Sequence, residues 1–173
     1  MNTLIPTLHS PRLRLTALTE QHFEAYAAML EDPQSTRFIG DGQALDRVNA
    51  WRSMAMLLGH WVLRGYGMWA LERLDDGIFV GRAGLLKPEG WPDIELGWMI
   101  APEARNQGYA GEAATAVLDF AWQTLELHRV VSLIRPEDAA SEHLARRLHG
   151  EQVNTIDLCG RRVRVYAYHP PTR

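Results

Sequence analysis

Eight residues constrain this chain more than any others: Arg105-Asn106-Gln107-Gly108-Tyr109-Ala110-Gly111-Glu112. They lie between a run that alternates like a strand, Asp93 to Ile100, and a run with helical spacing that begins near Tyr109. A strand that turns through glycine into a helix leaves the first helical amides without partners, pointing outward. The helix dipole adds partial positive charge at the same end. Together they favour phosphate or another anion. Gly108 and Gly111 remove side chains where a ligand must approach the backbone, and Arg105 reads as a fixed positive charge at the mouth.

The 173 residues suit one domain, 1–173, long enough to bury a core without metal or disulfide support. A net charge of −3, from 18 Lys+Arg against 21 Asp+Glu, argues against nucleic acid as a partner. The single cysteine, Cys159, excludes an intrachain disulfide and fits a reducing compartment. With Asp157 and Gly160 as turn neighbours it reads as a strand-end residue, a catalytic thiol being the alternative. Met1 to Ser10 lacks the basic start and apolar block of a signal peptide, and no apolar run reaches membrane-spanning length. A soluble, cytoplasmic protein with no membrane partner is expected. His22, His60, His128 and His143 lack metal-ligand spacing, so no metal site is expected.

Arg12 to Leu18 alternates polar and apolar and predicts a strand. Thr19 then predicts an N-cap, with helix to Glu31 and a stop at Asp32-Pro33. A polar, glycine-bearing stretch, Gln34 to Gly42, precedes a second helix predicted over Ala44 to Arg64. Its core face is predicted from Leu45, Val48, Trp51, Ala55, Leu58 and Val62, and Gly65 is its C-cap. Gly67 to Arg73, Phe79 to Lys87 and Asp93 to Ile100 predict three strands, the first two joined at Asp75-Asp76-Gly77. In the third, Ile94, Leu96, Trp98 and Ile100 share one face and Glu95, Gly97 and Met99 the other. Ala110, Ala113, Ala114, Val117, Leu118, Ala121 and Leu125 have core spacing on the next helix. A strand at His128 to Ile134, a helix at Ala139 to Leu148 and a hairpin around Gly160 complete an α/β domain with a mixed sheet.

The chain resembles the GCN5-related N-acetyltransferases (GNAT) over nearly its whole length, most closely the RimJ/RimL-like branch. Four segments carry the resemblance: Ser10-Pro11-Arg12-Leu13-Arg14-Leu15, Phe79-Val80-Gly81-Arg82-Ala83-Gly84-Leu85, Glu95-Leu96-Gly97-Trp98 followed by Arg105 to Ala113, and Ser141 to Leu148. The third is similar to the family's acetyl-CoA motif. The resemblance implies a GNAT-like fold: one domain, a mixed central sheet splayed between its fourth and fifth strands, and flanking helices. It implies acetyl transfer from acetyl-CoA, as co-substrate, to a primary amine on a protein N-terminus or a small molecule. It also admits a homodimer. Two departures stand out. Asp138 replaces the usual Asn before the late helix, and Leu148-His149-Gly150 replaces Leu-Gly-Phe at its end.

Carried onto this sequence, the resemblance implies that the amides of Gln107, Gly108, Tyr109, Ala110 and Gly111 cradle the diphosphate, with Arg105 and Asn106 as further cofactor-binding residues. It also implies that Met99, Ile100 and Ala101 pair with the pantetheine arm as an added strand, with Asp138 nearby. Glu95 is the candidate base, directly or through water; the alternative is a residue that only pairs with a basic group or orders the strand. An amide near Met99 or Ile100 is the candidate oxyanion donor. Ser141 is the candidate donor to the departing thiolate, helix capping being its alternative. Arg37, Phe38 and Trp91 are the candidate acceptor-binding residues, while Trp51, Trp61, Trp69, Trp98 and Trp122 are expected to pack the core. A non-catalytic acyl-CoA sensor on the same fold is the alternative function. A Rossmann-type nucleotide domain is disfavoured, because the turn is not G-x-G-x-x-G and a strand meander precedes it.

Overall fold

The computed structural model describes residues 4–171. Met1 to Thr3, where the reading of the N-terminal start begins, lie outside the described residues. Strand β1 (Leu8–His9) pairs with β2 (Leu13–Thr16), and a 3-10 turn at Glu20–His22 leads into α1 (Phe23–Glu31). A one-turn helix α2 (Pro33–Thr36) and the long α3 (Arg47–Arg64) follow. The meander is β3 (Met68–Arg73), β4 (Phe79–Leu86) and β5 (Glu95–Ile100). Then come α4 (Tyr109–Gln123), β6 (Val130–Ile134), α5 (Ala139–Arg147), β7 (Glu151–Leu158) and β8 (Arg161–Tyr168).

All eight strands form one sheet in the order β1-β2-β3-β4-β5-β6-β8-β7, antiparallel throughout except for β5 against β6. α4 covers one face: Ala113, Ala114, Val117 and Ala121 pack with Leu13, Trp69, Leu85 and Leu96. α1 and α3 cover the other, where Tyr26, Leu30, Met54 and Leu57 meet Met68, Ala70 and Met99. The two faces of β5 divide as its alternation predicts, with Leu96 toward α4 and Met99 toward α1 and α3.

The parallel junction is where the sheet opens. β5 and β6 register only at Glu95 opposite Val131, whose amide donates to the Ile94 carbonyl at 2.9 Å. One step further, Ser132 Oγ replaces the missing ladder bond by donating to the Leu96 carbonyl at 2.7 Å. Tyr168 Oη in turn donates to Ser132 Oγ at 3.0 Å. Beyond this bridge the described residues of the two strands do not pair. The expected splay between the fourth and fifth predicted strands is therefore at β5 and β6, the added β1 shifting the count by one.

The first helix ends at Glu31, where Asp32-Pro33 is predicted to stop it, but a separate turn follows, and two expectations about α3 need correction. Asp32 accepts from the amides of Gln34 and Ser35 and Pro33 occupies the first helical position, so one more turn forms. α3 begins at Arg47 rather than Ala44, because Asp46 caps it by accepting from Asn49 N–H at 2.8 Å. Its core face is also not the predicted one: Trp51 is 58% exposed and Val62 64% exposed, while Ala50, Met54, Leu57 and Trp61 are buried. Apolar residues surround this helix, so two helical registers compete. The winning register places small Ala50 in the core and lets the buried Trp61 Nε1–H reach the Met68 carbonyl at 3.0 Å.

The irregular end of α5 closes without the usual glycine. His149 takes a left-handed conformation, φ 62°, and Gly150 N–H donates to the Ala145 carbonyl at 2.8 Å. A Cβ on Gly150 would meet Tyr168 Cε1 at 2.7 Å, which fixes glycine one position later than in the resembling family.

Candidate active site

Between β5 and α4 the backbone turns left-handed twice, at Asn106 (φ 60°) and Gly108 (φ 85°). Gly108 is the N-cap of α4 and has no side chain to cap it; the first intrahelical bond runs from Glu112 N–H to the Gly108 carbonyl at 3.2 Å. The amides of Tyr109, Ala110 and Gly111 are thus left free at the positive end of a 15-residue helix. A cavity of about 560 Å³ lies beside Gly108 and Gly111, with Leu144 and Arg147 of α5 on its far wall.

The charge at this mouth is not the one predicted. Arg105 turns away to donate to Ser35 Oγ at 2.5 Å and Asp32 Oδ2 at 3.3 Å, tying the turn to α2. Arg12 stands there instead, its Nη2 donating to the Gln107 carbonyl at 2.7 Å and its guanidinium stacked 4.7 Å from the Tyr109 ring centroid. Arg12 also pairs with Glu112 at 2.5 Å, so its charge is largely balanced.

Along the open edge of β5, backbone direction alternates. Ala101 N–H donates to the Val80 carbonyl at 2.9 Å, and the Met99 carbonyl faces Gly81 of β4. These two predicted pairing residues are committed to the sheet. The groups that face the gap belong to Trp98 and Ile100, so of Met99, Ile100 and Ala101 only Ile100 offers its backbone to a ligand. The Ile100 carbonyl also lies 3.4 Å from Arg105 Nε.

Glu95 sits where the sheet begins to open. Its Oε2 accepts from Trp91 Nε1–H at 2.6 Å, so the loop tryptophan singled out in the sequence orients the candidate base. Burial pushes the Glu95 carboxyl up to about 7, against the Trp91 hydrogen bond, the nearby Arg82 charge and the Leu133 amide. A carboxyl that titrates near neutrality is suited to taking a proton from an amine. It faces a cavity of about 540 Å³, lined also by Phe38, Arg82, Trp91, Arg135 and Arg161. Gly97 leaves the floor beside Glu95 without a side chain.

A second cavity, of about 60 Å³, shares the Glu95, Gly97 and Trp98 wall and reaches Asp138 and Ser141. Asp138 caps α5, its carboxylate accepting from Ser141 N–H at 3.0 Å. That assigns the cap to Asp138 and leaves the Ser141 hydroxyl without a hydrogen bond among the described residues. The capping alternative for Ser141 is thereby removed, and the Asp138 carboxylate is engaged by its own helix.

Phe38 and Trp91 line the larger cavity as expected, but Arg37 does not. Its guanidinium folds over the Phe38 ring, 5.0 Å from the centroid, and faces a separate outer cavity. The loop that carries Arg37 and Phe38 is pinned beside the cavity by two arginines not singled out as site residues. Arg135 donates to the carbonyls of Arg37 and Gly40, and Arg161 to that of Asp41. Arg82 was also missed as a site residue, although a charged residue inside the apolar run Phe79 to Leu86 is a signal of a special environment. Arg12 and Arg161 had no local signal, because the topology alone brings them to the site.

Residues 12–151 match the family model described as acetyltransferase (GNAT) domain. An acetyltransferase of Agrobacterium tumefaciens strain C58 is 32% identical and superposes with a TM-score of 0.86 over 96% of this chain and 95% of that one. The uncharacterized N-acetyltransferase YnaD of Bacillus subtilis is 31% identical over 74 residues, 43% of this chain; the match spans only 44% of YnaD. RimJ of Mycobacterium smegmatis, a complex with CoA-disulfide, shares the fold at 18% identity, with a TM-score of 0.75 over 95% of this chain and 86% of RimJ.

Proposed function

This chain belongs to the GNAT acetyltransferase family, and we propose that it moves the acetyl group of acetyl-CoA onto a primary amine by direct attack on the thioester. The observation that carries this reading is a set of unpaired backbone groups near a raised-pKa carboxyl: the amides of Tyr109 to Gly111 are free at the start of α4, the Trp98 and Ile100 backbone faces the gap in the sheet, and Glu95 lies where that gap begins. The helix mouth fits a diphosphate, and the open β5 edge fits an amide-bearing arm laid down as an added strand.

In this reading acetyl-CoA supplies an acetyl thioester, and the chain's residues handle charge and protons. Glu95, oriented by Trp91, takes the proton of the incoming amine, directly or through water. As the N–C bond forms, a free N–H of Trp98 or Ile100 donates to the carbonyl oxygen that gathers charge. As the C–S bond breaks, the Ser141 hydroxyl donates to the sulfur that leaves. An α-amino group, with a reference pKa of about 7.7–8.0, needs less of this help than lysine at about 10.4. The free Ser141 hydroxyl and the raised Glu95 carboxyl, opening on adjoining cavities, favour catalysis over a sensor that only binds acyl-CoA.

The test is release of free thiol from acetyl-CoA across a panel of primary amines, with product mass as the second readout. Amine-dependent release with a mass gain of one acetyl group is expected. Tight binding of acetyl-CoA with no turnover on any amine would replace this reading with the sensor.

A further inference from the structure

Arg82 lies in the middle of β4 and is only 8% exposed, yet its Nε is buried without a hydrogen-bond partner. It enters none of the ion pairs among the described residues, although it lines the cavity that Glu95 faces. A desolvated guanidinium left without an anion is costly. The rest of the cavity does not repair this. Arg135 and Arg161 also line it, and the hydrogen bonds they make among the described residues go to neutral backbone carbonyls, which cancel no charge. Three guanidinium groups thus face two carboxylates, Glu95 and Asp41. When Glu95 accepts a proton, one of those negative charges disappears.

We infer that the acceptor amine carries its own carboxylate, held by Arg82 while the amine faces Glu95. This rests on the amine-acetylation reading and narrows it to small, amino-acid-like acceptors. The spacing agrees. Arg82 pairs with Met99, four residues along β5 from Glu95, or roughly 13 Å at the rise of a strand. Both side chains line the same cavity, so one small molecule inside it can meet both polar ends. The two Nη groups of Arg82 make no hydrogen bond among the described residues, and the planar end of a guanidinium suits the two oxygens of a carboxylate. The loop pinned by Arg135 and Arg161 forms part of the cavity wall through Phe38 to Asp41, which narrows the space for a long chain continuing from the acceptor.

The experiment compares matched amines, α-amino acids against their carboxamides, with wild type and Arg82→Gln, by thiol release and product mass. For wild type, kcat/KM for the carboxylate should exceed that for the carboxamide by about 10- to 100-fold, as expected for one charge-assisted contact. In Arg82→Gln that ratio should fall to about 3-fold or less, with Arg82→Lys in between, while calorimetry confirms that acetyl-CoA still binds. Equal wild-type rates on carboxylate and carboxamide would overturn the inference, and this arm stands even if the variant does not fold. A ratio preserved in Arg82→Gln would overturn it too, as would better turnover of an uncharged peptide N-terminus. Failure to acetylate any amine would instead defeat the proposed function itself.

Discussion

At the scale of single residues, the account turns on Glu95. Its carboxyl ionises at about 7 because burial opposes the charge more strongly than Trp91, Arg82 and the Leu133 amide support it. A base acts only when ionised. Below that value wild-type Glu95 is protonated and resembles a glutamine; above it, the two differ most. Glu95→Gln should therefore cost about 10²- to 10⁴-fold in kcat/KM at pH 8 and about tenfold less than that at pH 6, where only roughly a tenth of the carboxyl is ionised. A pH–rate profile of both proteins checks this, and a deficit that stays constant across that range would remove the base role. Trp91 and Glu95 were each legible as candidates, but the hydrogen bond between them comes only with the loop conformation that joins them. The displaced role of Arg105 was not legible, since its partners Asp32 and Ser35 lie some seventy positions earlier.

Among the elements, the opening between β5 and β6 depends on a small polar bridge. Ser132 Oγ takes over the Leu96 carbonyl, and buried Tyr168 supports it, its phenol pushed upward by burial. Ser132→Ala strips both partners of their hydrogen bonds in a site without exposure, which should destabilise the fold by about 1–3 kcal/mol in urea titration. A change within about 0.5 kcal/mol would mean the splay is held by strand packing alone. Most elements were legible from periodicity and turn residues. α4 was clearest, since Ala113, Ala114, Val117 and Ala121 mark one face and all are fully buried. The α3 face was misread because apolar residues on every side make its spacing ambiguous, and only contact with α1 and the sheet selects Ala50 and Trp61. β1 is two residues long, too short to show alternation.

For the whole molecule, topology assembles what the sequence scatters. β2 brings Arg12 to the α4 mouth, β4 brings Arg82 beneath the cavity, and the β7–β8 turn brings Arg161 to the loop above it. The order of elements and the strand–glycine turn–helix segment were readable because each lies in a continuous run of sequence. The arginine set was not, because convergence across the sheet leaves no local pattern. Among the described residues no helix is long and apolar enough to cross a membrane. In the proposed function, coenzyme A lies along the open edge of β5 with its diphosphate at the start of α4. Residue-resolved amide hydrogen exchange with and without coenzyme A tests it most directly. Protection should appear at Trp98 and Ile100 and at Tyr109, Ala110 and Gly111, while Ala101, already bonded to Val80, should change little. Saturating coenzyme A that leaves these five amides exchanging at their free rates would contradict the account.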